Sequence, residues 1–176
     1  VNALSEFFRI VVSKGDDYIN IKDEEMLIRS YLEIQQYRYQ DILEYEINIS
    51  EDLEYYKILK LTLQPLVENA LYHGIKNKRG KGKITIEGTY KEGKIVFIVR
   101  DNGIGMNQAR LEQIQRVLNG EKDVSINSTA GFGIVNVNER IKLNFGSEYG
   151  LSVKSEYGVG SEFTLCIPAI DDSASV

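Results

Sequence analysis

Two alternating segments, 83–90 and 94–100, lie on either side of Lys91-Glu92-Gly93 and restrict the possible folds more than any other feature of the chain. Alternation of apolar and polar residues puts one set of side chains on each face of a strand, and a short glycine-containing connection makes the pair a hairpin. Leu43-Glu44-Tyr45-Glu46-Ile47-Asn48-Ile49 alternates just as strictly, and segments 151–155 and 162–167 flank the turn Tyr157-Gly158-Val159-Gly160. Between these strands the period changes to that of helices, over 57–76, 107–118 and 133–144. Pro65 is compatible only with the start or a kink of the first of them. Hairpin-linked strands with segregated helices predict an α+β sandwich with helices on one sheet face. No internal repeat interrupts this order.

The first 41 residues differ in character. Residues 1–60 carry 7 Lys/Arg against 13 Asp/Glu, whereas residues 61–176 carry 14 against 13. Seven of the 11 tyrosines fall between Tyr18 and Tyr56. A helix is expected over 3–13, ended by Lys14-Gly15-Asp16-Asp17, and a second over 23–39, capped by Asp23. Leu27, Ile28, Tyr31, Leu32 and Ile34 give the second a broad apolar face. The pair reads either as packing for the following domain or as part of a dimerising bundle. The expected division is a helical segment at 1–41, a folded domain at 42–170 and a disordered tail at 171–176.

Composition removes several classes of function. The chain has 176 residues, a net charge of −5, one cysteine (Cys166) and one histidine (His73). An internal disulfide, a cysteine-rich zinc site and a multi-histidine metal centre are thereby excluded. An acidic balance disfavours broad nucleic-acid binding, which needs a basic surface. No apolar run approaches the roughly 20 residues that span a bilayer, and no secretory signal pattern opens the chain. A soluble domain of a reducing, cytoplasmic compartment is expected.

Three motifs carry chemistry. In Glu68-Asn69-Ala70-Leu71-Tyr72-His73, Asn69 and His73 are four apart and share a helix face. Asparagine is a poor helix-interior residue. It reads either as a satisfied buried amide or as an oxygen ligand for a hard cation such as Mg2+. Asp101-Asn102-Gly103-Ile104-Gly105-Met106 follows a strand directly, and its glycines allow positive φ and close approach of a ligand to the backbone. The same residues also read as a plain turn. Gly131-Phe132-Gly133-Ile134 opens a helix whose free N–H groups suit phosphate, or is simply a loop meeting a helix. No Walker A loop occurs, and neither glycine pair completes G-x-G-x-x-G, the third position being Gln108 or Asn136.

In this order and spacing, Asn69, Asp101-x-Gly103-x-Gly105 and Gly131-x-Gly133 resemble the N, G1 and G2 boxes of the GHKL ATP-binding superfamily. The run from Gln64 to Gly74, with Gly131-Phe132-Gly133-Ile134-Val135-Asn136-Val137-Asn138-Glu139-Arg140-Ile141, resembles the LytS/YesM type of sensor histidine kinase. Upstream, Asp23-Glu24-Glu25, Tyr31-Leu32-Glu33-Ile34-Gln35 and Arg38-Tyr39 are similar to that type's segment between phosphoacceptor helix and ATP-binding domain. The resemblance implies that Asn69 holds a Mg2+ on the phosphates of ATP, with Glu68 and His73 beside it as catalytic candidates. It implies that Asp101 receives the adenine amino group in a pocket shaped by Gly103, Gly105 and Met106. Residues 106–130 become the ATP lid, short and without a phenylalanine box. Gly131, Phe132, Gly133 and Ile134 frame the phosphate end, and Ser161 faces the adenine. Lys122 and Arg140 are either phosphate contacts or, respectively, a solvated charge and a structural residue.

Two departures from that type bear on function. The phosphoacceptor histidine is missing, since His73 belongs to the N box, so the sequence reads as a catalytic piece with the tail of a dimerisation segment. Where hydrolysing members of the superfamily place a glutamate one turn before the asparagine, Pro65 stands here. The implied activity is phosphoryl transfer to an imidazole outside this sequence, then to a response regulator, by the cytoplasmic part of a membrane-anchored homodimer with no nucleic-acid partner. A stand-alone serine kinase of the anti-sigma type and a non-catalytic nucleotide-binding module are the alternatives.

Overall fold

The structure, a computed structural model, describes residues 17–121 and 132–171. The helix expected over 3–13, Lys122 and the rest of the lid's far half, Gly131 and the expected tail beyond Asp171 lie outside them. In chain order the elements are β1 (Tyr18–Asn20), α1 (Ile21–Arg38), β2 (Leu43–Ile49), one 3-10 turn (Glu51–Leu53) and β3 (Lys57–Leu59). Then come α2 (Gln64–Asn69), which runs on into a π-helical segment (Ala70–Ile75), β4 (Gly82–Lys91) and β5 (Lys94–Asp101). α3 (Gln108–Leu118), α4 (Phe132–Phe145), β6 (Gly150–Glu156) and β7 (Gly160–Pro168) complete the series.

The main sheet has the order β2-β4-β5-β7-β6, with β2 parallel to β4 and the other neighbours antiparallel. A parallel pair needs a long crossover, and residues 50–81, with β3 and α2, supply it. Alternation decides what each strand buries. Ile84 and Ile86 of β4, Ile95, Phe97 and Val99 of β5, and Phe163, Leu165 and Ile167 of β7 are all buried on one face. They form one core with Leu66, Val67 and Leu71 of the α2 region, Ile114 of α3, and Ile134, Val137 and Ile141 of α4. The opposite face carries charge pairs across neighbouring strands: Arg100 donates to Glu162, directly opposite, at 2.6 Å and to Glu87, diagonal to it, at 2.7 Å, and Lys83 pairs diagonally with Glu46. Exposed pairs of this kind contribute little stability each. The core lies on one side of the sheet, as the alternation predicts.

The segment 57–76 is not one helix. Lys57–Leu59 pairs antiparallel with β1, and Leu61 then turns the chain at φ +58. Helix begins only at Gln64, with Pro65 in its first turn, where the missing N–H leaves no helical bond unmade. α1 likewise starts earlier than expected, at Ile21 rather than beyond Asp23. Its first donors are met by backbone, Ile21 N–H by Tyr56 O (2.9 Å) and Lys22 N–H by Glu54 O (3.2 Å), so no side-chain cap is required. Ile34 of the expected apolar face is 42% exposed, and Gln35 takes the inward position. Ile21, Leu27, Ile28 and Leu32 join the same core as the sheet and the later helices. Among the described residues no helix is long and apolar enough to cross a membrane.

Lys91 pairs with Lys94, so Glu92 (φ +50) and Gly93 (φ +79) make a two-residue turn with both central residues left-handed. Asn-Gly is the preferred pair for that geometry and glutamate is strained in it. Glu92→Asn is therefore expected to stabilise the domain by roughly 0.5–1 kcal/mol, read as a higher urea midpoint with an unchanged denaturant slope.

Candidate nucleotide-binding site

The site grows from the ends of three neighbouring strands. Register sets Asp101 of β5 opposite Ser161 of β7, and Ser161 opposite Ser155 of β6. All three follow the buried parity of their strands, so the core face ends in a short polar row. The Asp101 carboxylate accepts the Gly103 N–H at 2.8 Å and the backbone N–H of Ser161. Ser155 Oγ accepts the Met106 N–H (2.8 Å), donates to Gly160 O (2.9 Å) and lies 2.9 Å from Ser161 Oγ. Burial pushes the Asp101 carboxyl up to about 6, against the opposing pull of these N–H groups and of Lys78.

Close backbone packing then ties this row to the helix. A Cβ on Gly103 would collide with the Gly74 backbone, and one on Gly74 with the Asp101 carboxylate. Gly105 turns at φ +64 against the Glu156 carbonyl. Ile104 N–H reaches Gly74 O (3.3 Å), and Gly158 N–H reaches Ile104 O (2.7 Å). The loop 102–106 is thus clamped between the end of the α2 region and the β6–β7 turn.

The α2 region itself widens as it nears this clamp. From Ala70 it takes π-helical form, closed by Lys76 N–H on Leu71 O at 2.9 Å. Such widenings occur often at functional sites. Here Asn69, His73 and Asn77 line one cavity of about 270 Å3 with Ile104, Gly105, Met106, Arg110, Ile114 and Tyr157. On its other side the same region borders a smaller hollow of about 160 Å3, lined by Pro65, Glu68, Asn69, Tyr72, His73, Gly133 and Ile134. Asn69 and His73 belong to both. Desolvation, helped by the charge of Arg110, holds His73 below its ordinary pKa and so favours the neutral imidazole. Glu68 is held by Gln64 Nε2 at 2.9 Å.

Of the residues singled out in the sequence, Asn69, His73, Gly105 and Met106 meet in the larger cavity, and Glu68, Gly133 and Ile134 join Asn69 and His73 in the smaller. Gly103 is buried beneath them as a packing contact. Asp101 and Ser161 line a separate hollow of about 320 Å3 with Arg100, Ser155 and Glu162. Phe132, the first residue of α4, is 53% exposed and lines none of these three hollows. Arg140 points elsewhere: its guanidinium donates to Thr62 Oγ1 at 2.8 Å, so it is a structural charge. Arg110, Asn77 and Ser155 were not legible as site residues, although Asn77 continues the four-residue spacing of Asn69 and His73, and Ser155 the buried parity of β6. Asn69 offers one neutral oxygen, and among the described residues no three His, Cys, Asp or Glu gather as a metal cage. That donor set suits a Mg2+ that takes most of its ligands from phosphate and water.

Comparison with known proteins bears on this arrangement. The sequence model described as "Histidine kinase-, DNA gyrase B-, and HSP90-like ATPase" matches residues 56–171, and the one described as "Histidine kinase" matches 1–43. The chain therefore belongs to the histidine kinase-, DNA gyrase B- and HSP90-like ATPase family. It is 31% identical over 168 residues to the sensor histidine kinase YesM of Bacillus subtilis, covering 96% of this chain and 27% of that protein. It is 32% identical over 166 residues to the sensor protein LytS of Bacillus anthracis, covering 94% and 27%. The chain thus spans about a quarter of the length of these relatives. Among solved structures it resembles the catalytic domain of histidine kinase ThkA (TM-score 0.61, 13% identity, 88% and 97% covered). It also resembles full-length ShkA, solved in complex with AMPPNP (TM-score 0.59, 20% identity, 97% and 35% covered).

The raised Asp101 carboxyl has a consequence for stability. With a folded-state pKa near 6 against an ordinary 3.8, the native chain holds this proton more tightly than the unfolded one. The contribution is fully present below pH 3.8 and is lost as pH rises through about 6. Asp101→Asn is expected to flatten that part of the stability–pH curve, measured by urea unfolding at a series of pH values; an unchanged slope between pH 4 and 6 would contradict the assignment.

Proposed function

We propose that the chain binds Mg2+-ATP across the two hollows and donates the γ-phosphoryl group to a histidine outside residues 1–176, which passes it to a response-regulator aspartate. The observation that supports this most is the shared position of Asn69 and His73. They stand where the larger cavity, with Ile104, Met106 and Ile114 on its apolar side, meets the small hollow at Gly133. An adenine base suits the first and a phosphate chain the second. Asp101 is the proposed acceptor for the adenine amino group; Gly103, buried against the Gly74 backbone, fixes the loop, and Gly105, which lines the larger cavity, lets the base approach the backbone. Gly131, Phe132, Gly133 and Ile134 form the proposed phosphate end, and Ser161 supports the adenine side through Ser155.

Asn69 is the proposed holder of a Mg2+ that, when bound, neutralises charge on the phosphate oxygens. In the transfer, a neutral imidazole nitrogen of the acceptor forms a bond to the γ-phosphorus. The bond from that phosphorus to the β–γ bridging oxygen breaks, ADP leaves with the electron pair, and the imidazole's other nitrogen releases its proton to solvent. Attack through a lone pair asks for no base at the position of Pro65, so the work is positioning and charge stabilisation. Arg110, which lines the larger cavity with His73, a residue shared by the two hollows, is the proposed cation for the phosphate chain where it passes from one hollow to the other. Residues 1–41 are read as the end of the dimerisation segment and 42–170 as the ATP-binding domain. The whole protein is read as a membrane-anchored homodimer with this part on the cytoplasmic side.

Asn69→Ala is expected to weaken Mg2+-ATP binding by roughly 10–100-fold while changing adenosine binding little, as read by calorimetric titration with and without Mg2+. Arg110→Ala is expected to cost roughly 10-fold in ATP affinity, again sparing adenosine. Mixed with a separate acceptor-helix segment and labelled ATP, the chain is expected to yield acid-labile phosphohistidine. Acid-stable phosphoserine on a partner, or absence of any ATP binding, would overturn this reading.

A further inference from the structure

Glu24 has no place in the chemistry above, yet it is fully buried, the most enclosed carboxylate among the described residues. Its Oε1 accepts the Leu63 N–H at 2.8 Å and its Oε2 the Leu61 N–H at 3.0 Å, and the Thr62 N–H adds a third bond. Three consecutive amides converging on one carboxylate form an anion-holding nest, here filled by a side chain of α1. Burial pushes this carboxyl up to about 7, while the three amides and the charge of Arg140 pull the other way.

What the nest holds gives it meaning. Leu61 is left-handed (φ +58), a conformation that costs a non-glycine residue free energy and persists only where its surroundings enforce it. Leu63 is the residue from which α2 starts, and its carbonyl accepts the first helical N–H groups, those of Leu66 and Val67, at 3.1 Å each. Asn69 is the sixth and last residue of α2. Thr62, between them, donates from Oγ1 to Leu59 O (2.6 Å) and accepts from Arg140 of α4 (2.8 Å), the helix whose first turn brings Gly133 and Ile134 to the small hollow. The three-residue turn 61–63 therefore joins α1, the asparagine helix and the glycine-led helix.

We propose that Glu24 is a positioning residue: by organising the 61–63 turn it sets the direction in which α2 leaves and so the placement of Asn69 and His73 at the nucleotide. Displacement of α1 from its upstream side would then reach the phosphate site through one carboxylate. The inference rests on the nucleotide reading for its consequence in binding, but its geometric half does not.

The test uses the whole chain and two readouts. Without nucleotide, the Asn69 side-chain amide and the amides of 61–63 are followed by 15N NMR and hydrogen exchange. With nucleotide, titration under conditions where each variant is folded gives affinities for Mg2+-ATP and for adenosine. Glu24→Gln replaces one acceptor by an NH2 group facing a backbone donor. It is expected to shift the Asn69 resonance, speed exchange at 61–63 and weaken Mg2+-ATP binding by roughly 10-fold with adenosine nearly unchanged. Glu24→Asp, which keeps charge and both oxygens, is expected to recover most of that loss. A residue with a merely structural role would lower the unfolding midpoint and leave the folded variant's Asn69 signal and Mg2+-ATP affinity as in the parent. That outcome overturns the proposal. Should Glu24→Gln not fold, Thr62→Val, which removes the Arg140 bond from the same turn, carries the same two readouts, and an unmoved Asn69 signal there overturns it equally. If the parent chain binds no ATP while the Asn69 signal still moves, the nucleotide reading fails and the positioning of Asn69 stands.

Discussion

The contact between Gly74 and Gly103 is the constraint on which the rest of this molecule turns. Two backbones meet there with no room for a Cβ on either side, and the Asp101 carboxylate closes the same spot from below. Because the meeting is backbone to backbone, it fixes a distance rather than merely favouring one. The end of the α2 region cannot move away without exposing Asp101, and the loop 102–106 cannot move without losing Ile104 N–H from Gly74 O. With that distance set, the face bearing Asn69 and His73 must look toward Gly105 and Met106. The cavity follows from the packing.

Much of this was legible in the sequence, because alternation and glycine spacing are local signals. The strict period of 43–49, 83–90 and 94–100 sets the buried parity of β2, β4 and β5, and that parity carries straight on to Asp101 at the end of β5. The same logic extended by register would have reached Ser155, since Leu151 and Val153 share its face. What a single strand's pattern does not state is which strand lies beside it. The β2–β4 pair is parallel and β7 sits between β5 and β6, and both arrangements depend on contacts distant in sequence.

The segment 57–76 shows the opposite case. Ile58, Leu59, Leu61 and Leu63 are compatible with a helix by composition, and only Pro65 argued against an early start. The chain chose a strand because Tyr18–Asn20 offered a partner edge, and because Glu24, 37 and 39 residues earlier in the chain, supplied acceptors for the turn that follows. A local pattern carries no record of a carboxylate arriving from another helix. The π-helical widening at Ala70 is similarly invisible, as it comes from the demand that Gly74 meet Gly103.

These two misreadings share a cause with the site itself. Asn69 stands between two fixed points: the Gly74–Gly103 contact at one end of its helix and the Glu24-held turn at the other. A helix pinned at both ends over 64–75 has few ways to adjust its length, and insertion of π-helical turns is one that leaves both ends in place. The widening then falls at Ala70–Ile75, directly after Asn69, and turns His73 and Asn77 to the same cavity. On this view the departure from regular helix is the geometric result of holding a short helix between a backbone contact and a carboxylate. The polar residues that line the cavity occupy the stretch where that result is expressed.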